Sequence, residues 1–236
     1  MKYDFSIVIP VYNEEGNLPS LMDSLIELRD KLKWNCEIVI VNDNSSDNTP
    51  EICDKLVNKY NFIIAIHRVK GNNGMGYALI EGTKKANGKN ILWTMGDKSD
   101  DVNTYDEIIE ALNKYDVVFG SRYMKGGSRG DLGMEKAFLS EGYTFLCRGI
   151  FGIPVHDITN AFRGFKKEVF NNINLESGDF AISPEFAIKS HLKGYKLGEV
   201  PTRYTDRKAG KGKFKMMKMG IRYVSLFKYK LFKNSF

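Results

Sequence analysis

Apolar positions along the chain change period repeatedly, and the changes mark out elements. Residues Phe5 to Val11, Cys36 to Val41, Ile63 to Ile66, Ile91 to Met95 and Val117 to Gly120 read as strands. The second and fourth are nearly continuous apolar runs, as in strands covered on both faces. Between them, Leu18, Leu21, Leu25, Leu28 and Leu32 recur at helical spacing and predict a helix over 18–32. Further helices are predicted over 50–60, 77–86 and 105–112, the first with Thr49 as N-cap and Pro50 at the first helical position. Strands alternating with helices predict a mostly parallel, Rossmann-like α/β sheet with helices on both faces.

After Gly120 the rhythm changes. Lys125 to Gly130 is a glycine-rich loop, a long helix is expected over 131–150, and a last strand over 197–204 contains Pro201, which asks for an edge position. Neither an internal repeat nor a low-complexity linker interrupts the chain, so a boundary near residue 120 separates lobes of one domain, 1–236.

The chemistry concentrates where the fourth apolar run empties into Gly96-Asp97-Lys98-Ser99-Asp100-Asp101. Open α/β sheets bind ligands outside the carboxyl ends of their strands. Carboxylates grouped there repel one another unless a cation lies between them, and a hard divalent ion that also touches phosphate oxygens is the simplest choice. The alternative is a solvated turn whose aspartates cap the next helix. The first run ends in Pro10-Val11-Tyr12-Asn13-Glu14, placing a ring able to stack on a base, and a carboxylate, at the same edge. The second ends at Asp43, where a ribose or base contact is expected, whereas Asn44 to Asp47 is turn and cap chemistry. Lys70 to Gly76 is glycine-rich but lacks the ending of a P-loop; its glycines serve either a close ligand or the entry to the following helix.

Composition narrows the setting. With 236 residues, 42% hydrophobic and 27% charged, the chain is ordinary globular material. Its three cysteines are widely spaced, which argues against a disulfide framework or zinc site and for a reducing cytoplasm. The N-terminus is too short and strand-like for a signal peptide, and no apolar run reaches membrane-spanning length. The net charge of +6 is uneven, since the segment from Arg203 onward holds a single acidic residue, Asp206. That asymmetry points to a polyanionic partner. The aromatics do not interleave with the basic residues as an RNA-stacking surface would, which disfavours nucleic acid. Met216, Met217, Gly220, Tyr223, Val224, Phe227 and Leu231 fall at helical intervals among lysines and arginines. This predicts a basic amphipathic helix, lying either on an anionic membrane surface or against the core. His67, His156 and His191 have no ligand spacing and are expected to be structural.

Five stretches carry a resemblance: Ile7 to Glu14, Val41 to Thr49, Gly74 to Ala78, Gly120 to Tyr123, and Asp157 to Arg163. In order and spacing they resemble family 2 glycosyltransferases of GT-A fold, especially the polyprenyl-phosphate (dolichol-phosphate mannose or glucose synthase-like) enzymes. The resemblance implies a nucleotide-binding lobe over 1–120, an acceptor lobe and lid over 121–214, and the basic helix over 215–236. It implies that Pro10, Tyr12, Glu14 and Asp43 line the nucleotide pocket, and that the acidic loop replaces the family's Asp-x-Asp motif, leaving Asp97, Asp100 and Asp101 as candidate ligands for Mg²⁺ or Mn²⁺, of which Asp97 and Asp100 are favoured. Gly96 stands where the first aspartate is usual. Arg122, Arg207 and Lys213 are expected on the diphosphate, with guanidinium the better match to phosphate oxygens. Asp157 is the expected base or orienting group, and Ser140, Arg163 and Glu185 the acceptor contacts, although Glu141 follows Ser140 where relatives often carry a basic residue.

The activity so implied is inverting transfer of a sugar from a nucleotide donor to a polyprenyl phosphate, by a peripheral protein at the cytoplasmic membrane face. The alternatives are transfer to a saccharide hydroxyl, for which Asp157 must be a true base, and a non-catalytic nucleotide-sugar binding module.

Overall fold

A computed structural model of the chain describes residues 2–205 and 216–230. Strand β1 (Tyr3–Val11) is buried along most of its length, and its alternating side chains supply two cores at once. Phe5, Ile7, Ile9 and Val11 face one side and Val8 the other, as a period of two requires. Strands β2 (Cys36–Asn42), β3 (Ile63–His67), β4 (Gly88–Trp93), β5 (Val117–Ser121), β6 (Arg163–Lys166) and β7 (Leu197–Pro201) complete one sheet in the order β3-β2-β1-β4-β6-β5-β7. The face carrying Ile7 and Ile9 is covered by α1 (Leu18–Leu32), α2 (Thr49–Lys59) and α4 (Thr104–Ala111), through Leu18, Leu21, Cys53, Tyr105 and Ile108. The other face is covered by α3 (Met75–Lys85), α5 (Met134–Phe151), α6 (Lys167–Asn172) and α7 (Ile182–Leu192).

Strand β1 pairs in parallel with both β2 and β4, so the winding reverses between β1 and β4. That crevice is where doubly wound sheets open a ligand site. The predicted parallel strands and their covering helices are present, with boundaries shifted by up to a few residues. Thr49 lies inside α2 instead of capping it, because its hydroxyl accepts the Glu14 N–H at 2.9 Å and Asn48 takes the cap position. Pro201 ends β7, an edge strand, as its missing N–H demands.

One strand was not foreseen. The four residues of β6 run antiparallel between β4 and β5, pairing Leu92 with Gly164 and Val118 with Gly164. A strand from the second half of the chain therefore sits inside the sheet built by the first half.

The C-terminal helix is also read differently. In α8 (Met216–Ser225) and the 3-10 helix that follows (Leu226–Lys230), Met219, Tyr223, Leu226 and Tyr229 are buried in the core against α5 and α7. The Tyr143 hydroxyl donates to the Tyr223 carbonyl at 2.9 Å, and Phe227 stacks near Tyr143 and Phe151. The stripe expected on a membrane thus has a protein partner at Tyr223 and Phe227, while Val224 faces solvent. Leu231 lies outside the described residues. Cys36, Cys53 and Cys147 are free and buried, and burial pushes each thiol up to about 12.

Candidate active site at the carboxyl edge of the sheet

The loops leaving β1 and β2 are laced together. Asn13 N–H donates to Ser45 Oγ, Ser46 N–H to Asn13 Oδ1, Glu15 N–H to Asp47 Oδ2 and Asn48 N–H to Glu15 Oε2. This fixes the chain that follows Tyr12, a residue that is 40% exposed. Glu14 is nearly buried, with Oε2 accepting from Asn17 Nδ2 at 2.6 Å, and Pro10 is buried at the end of β1.

Asp43 is fully engaged. Its Oδ1 meets Arg68 Nη1 and Asn73 Nδ2, and its Oδ2 accepts the Gly74 N–H at 2.7 Å. Arg68 also reaches Glu81 at 2.9 Å. The carboxylate expected to meet a nucleotide therefore first orders the loop over residues 70–74. Arg68 escaped sequence reasoning although it directly follows a strand end, the one signal that marks such positions. Gly74 and Gly76 answer to packing, whereas Gly71 lies in open space: a Cβ on Gly74 would stand 2.3 Å from the Gly178 carbonyl oxygen and one on Gly76 2.2 Å from that of Ser177, and Gly76 N–H donates to Gly178 O at 2.9 Å.

Beyond β4, Asp97 and Asp100 are both nearly buried, and the Asp97 charge is felt at Asp100. Asp97 Oδ1 accepts the Ser99 N–H at 3.1 Å, and Asp100 Oδ2 accepts from Thr94 Oγ1 and Met95 N–H, both at 2.9 Å. Burial pushes the Asp100 carboxyl up to about 7, the Asp97 charge adds to that, and Arg122 opposes it. Asp101 Oδ1 accepts the Asn103 N–H at 3.0 Å in the turn before α4. Gly96 has no room for a side chain, since a Cβ there would lie 2.6 Å from Val11 Cγ1 and 2.9 Å from the Pro10 carbonyl oxygen. The departure from the two-aspartate pattern thus has a steric cause.

Two interacting carboxylates, offering oxygen donors only, are the chemistry that suits a hard divalent cation. Among the described residues no group of three or more His, Cys, Asp or Glu is gathered for a metal, so a cation held by Asp97 and Asp100 would need further oxygen donors.

Arg122 stands across from this pair. Its Nε donates to Asp157 Oδ2 at 2.7 Å, and its Nη2 to Asp157 Oδ1 at 3.0 Å and Thr159 Oγ1 at 2.9 Å. Asp157 is wholly buried and also accepts the N–H groups of Thr159 and Asn160. Burial alone would raise its carboxyl, but Arg122 and the other donors together hold it below the usual range. Tyr123, beside Arg122, bonds the Ser140 hydroxyl and so ties α5 to the site.

Two expected acceptor contacts are corrected. Arg163 is wholly buried, donating to the carbonyls of Ile158, Asn160, Ala161 and Ser183 among Phe119 and Phe186. Burial lowers it to about 9, still charged at neutral pH. Glu185 is also wholly buried, paired with Lys189 at 2.7 Å and accepting the N–H groups of Glu176 and Ser177. Neither reaches a surface that an acceptor could touch. The two expected lid residues, Arg207 and Lys213, lie outside the described residues. The three histidines make local structural bonds, to Asn42 and Asp54, Glu199, and the Phe151 carbonyl.

With this geometry in place, the comparisons decide the family. The model for Glycosyl transferase family 2 matches residues 6–173. The chain belongs to glycosyl transferase family 2. This family 2 chain is 34% identical over 215 residues to a dolichol-phosphate mannosyltransferase of Pyrococcus furiosus, covering 89% of the chain and 59% of that relative. It thus spans under two thirds of that relative's length. It is 26% identical over 234 residues to a polyprenol monophosphomannose synthase of Mycolicibacterium smegmatis, covering 92% of the chain and 86% of the relative. Among solved structures, glucosyl-3-phosphoglycerate synthase from Mycobacterium tuberculosis with Mg²⁺ and uridine diphosphate superposes with a TM-score of 0.73 at 13% identity, over 97% of this chain and 79% of that one. S. aureus TarS with uridine diphosphate gives 0.65 at 19% identity, over 99% and 67%. These likenesses show the GT-A fold.

Proposed function

We propose that the protein moves a hexose, with inversion, from a nucleoside diphosphate donor to a polyprenyl phosphate at a membrane face. The observation that carries this reading is the state of Asp157. A hydroxyl acceptor needs a base, and the only carboxylate expected to serve is wholly buried, held below its usual range and bonded through both oxygens to Arg122. A phosphate monoester is already ionised at neutral pH and attacks without one. Both named relatives take an acceptor of that kind, and both transfer mannose by name.

In this reading Tyr12 stacks on the base, and Asp43 holds the loop of residues 70–74 in place beside the nucleotide. Asp157 fixes the Arg122 guanidinium, whose Nη1 makes no hydrogen bond to the described residues and is left for a phosphate oxygen. Asp97 and Asp100 would hold Mg²⁺ or Mn²⁺, whose chemistry there is Lewis-acid stabilisation of the departing diphosphate. An acceptor phosphate oxygen then forms its bond to the anomeric carbon as the bond from that carbon to the diphosphate oxygen breaks. No helix among the described residues is long and apolar enough to cross a membrane.

Incubation with labelled nucleotide sugars, a divalent ion and polyprenyl phosphate tests the proposal. Label extractable into organic solvent is expected. Label found only on a water-soluble glycan, or on no acceptor, overturns it.

A further inference from the structure

Helix α5 is apolar on two sides. Ala137, Tyr143, Cys147 and Phe151 enter the core, as an amphipathic helix requires. On the outward side stand Met134, Phe138, Leu139, Phe145 and Leu146, with exposures between 46% and 77%. Spacings of four and seven residues line them up, and from Met134 to Leu146 the strip runs about 18 Å along the helix. A surface helix ordinarily turns polar residues outward, and a helix apolar all round is covered on both sides. Beside it, α8 packs through the Tyr143 and Tyr223 rings, 4.7 Å apart, and turns Ile221 and Val224 to solvent at 74% and 61%.

We propose that this outward face of α5, with the exposed edge of α8, seats the protein on an anionic lipid bilayer. The charges on α5 balance, with Glu135 and Glu141 against Lys136 and Arg148. The excess charge lies in the C-terminal part of the sequence: from Arg203 to the C-terminus there are eleven lysines and arginines and one acidic residue. An apolar strip on a chain of such net positive charge complements acidic headgroups over hydrocarbon, whereas a second copy would bring like net charges together. The position of the strip also fits. Phe138 and Leu139 lie within one turn of Ser140, whose hydroxyl bonds Tyr123 next to Arg122. This deepens the proposed function and rests on it for the acceptor: a phosphate held at Arg122 would have its polyprenyl chain leading toward the strip and into the bilayer.

The test uses the full chain and vesicles of phosphatidylcholine with and without phosphatidylglycerol. The wild type should sediment with the anionic vesicles. Burying a Phe side chain is worth enough that replacing both Phe138 and Phe145 by Asp should weaken binding about a hundredfold. Val69→Asp, at the most exposed large apolar residue elsewhere (83% exposed), should bind as the wild type and control for charge and folding. The Phe138→Asp/Phe145→Asp protein should retain transfer to a short, detergent-solubilised polyprenyl phosphate and lose it only with vesicle-embedded acceptor. A wild type that stays in the supernatant, or a double variant that binds vesicles as the wild type does, overturns the proposal. So does a wild-type dimer in sedimentation that the double substitution splits, which would assign the strip to a second copy. Vesicle binding by the strip without transfer to any lipid phosphate would leave the surface standing and overturn the function proposed above.

Discussion

Asp157 and Arg122 face each other through two parallel hydrogen bonds, 2.7 and 3.0 Å, with the carboxylate wholly buried. Removing one partner of a buried pair strands the other charge. Asp157→Ala should therefore cost about 3–5 kcal/mol in denaturant unfolding, and Asp157→Asn less, because the amide keeps one acceptor oxygen. If Asp157 positions Arg122, kcat/KM should fall for both variants with no shift in the pH profile of kcat/KM. A lost basic limb in that profile would instead make Asp157 the base.

The same pairing sets the acid limit of the fold. Asp157 and Glu185 are both held below the usual carboxylate range. A depressed folded-state value means that stability is fully present above the unfolded value near about 4, and is lost as pH falls through the folded value below it. The contribution of these two carboxylates should hold from neutral pH down to about 5 and be lost below about 4, while Asp100, raised to about 7, should let the melting temperature rise as pH falls from above 7 toward 5. In Glu185→Gln the acid loss should be shallower, though the variant starts from lower stability because Lys189 loses its charged partner.

Restoring an aspartate at position 96 should not improve the enzyme. The side chain would press on Val11 and on the Pro10 carbonyl. Gly96→Asp is expected to destabilise by about 1–3 kcal/mol and to lower activity, as measured by thermal unfolding and by sugar transfer.

Asp97 and Asp100 should act together. Asp97→Asn or Asp100→Asn should lower transfer by roughly a hundredfold or more, and chelation of divalent ions should abolish it, if these carboxylates share one cation. Full activity in either variant would refute the assignment.

Arg68→Met should loosen the loop over residues 70–74 by taking one of the three donors from Asp43. The expected result is about a tenfold rise in donor KM with kcat little changed, read from initial rates over a range of nucleotide sugar.

The sequence made much of this legible, and the misses have physical causes. Strands β1, β2 and β4 announce themselves because strands buried on both faces must be apolar throughout, and α1 does so because one stripe of it meets the sheet. Helix α7 went unread because Ile182 to Ser190 is buried on every side, so no stripe stands out. Its Glu185 and Lys189 look like surface charges until their pairing four residues apart inside the core is seen. Arg163 was misassigned for the same reason: it satisfies its donors with carbonyls from four residues that only the fold collects. At the site, strand ends located Asp43, Asp97 and Arg122, but not what each side chain holds. That Asp43 is spent on Arg68 and Asn73 depends on loops that no period reports.

The placement of β6 governs how the protein can be made. Until Arg163 to Lys166 arrives, β4 ends the sheet with a bare edge, and β5 has neither of its neighbours, since β6 and β7 both come later in the chain. A nascent polypeptide stopped at residue 121 would carry an orphan apolar strand and an open ladder, the features that invite aggregation. Assembly must therefore wait for the latter part of translation, and a gene split near residue 120 should yield insoluble halves unless both are produced together.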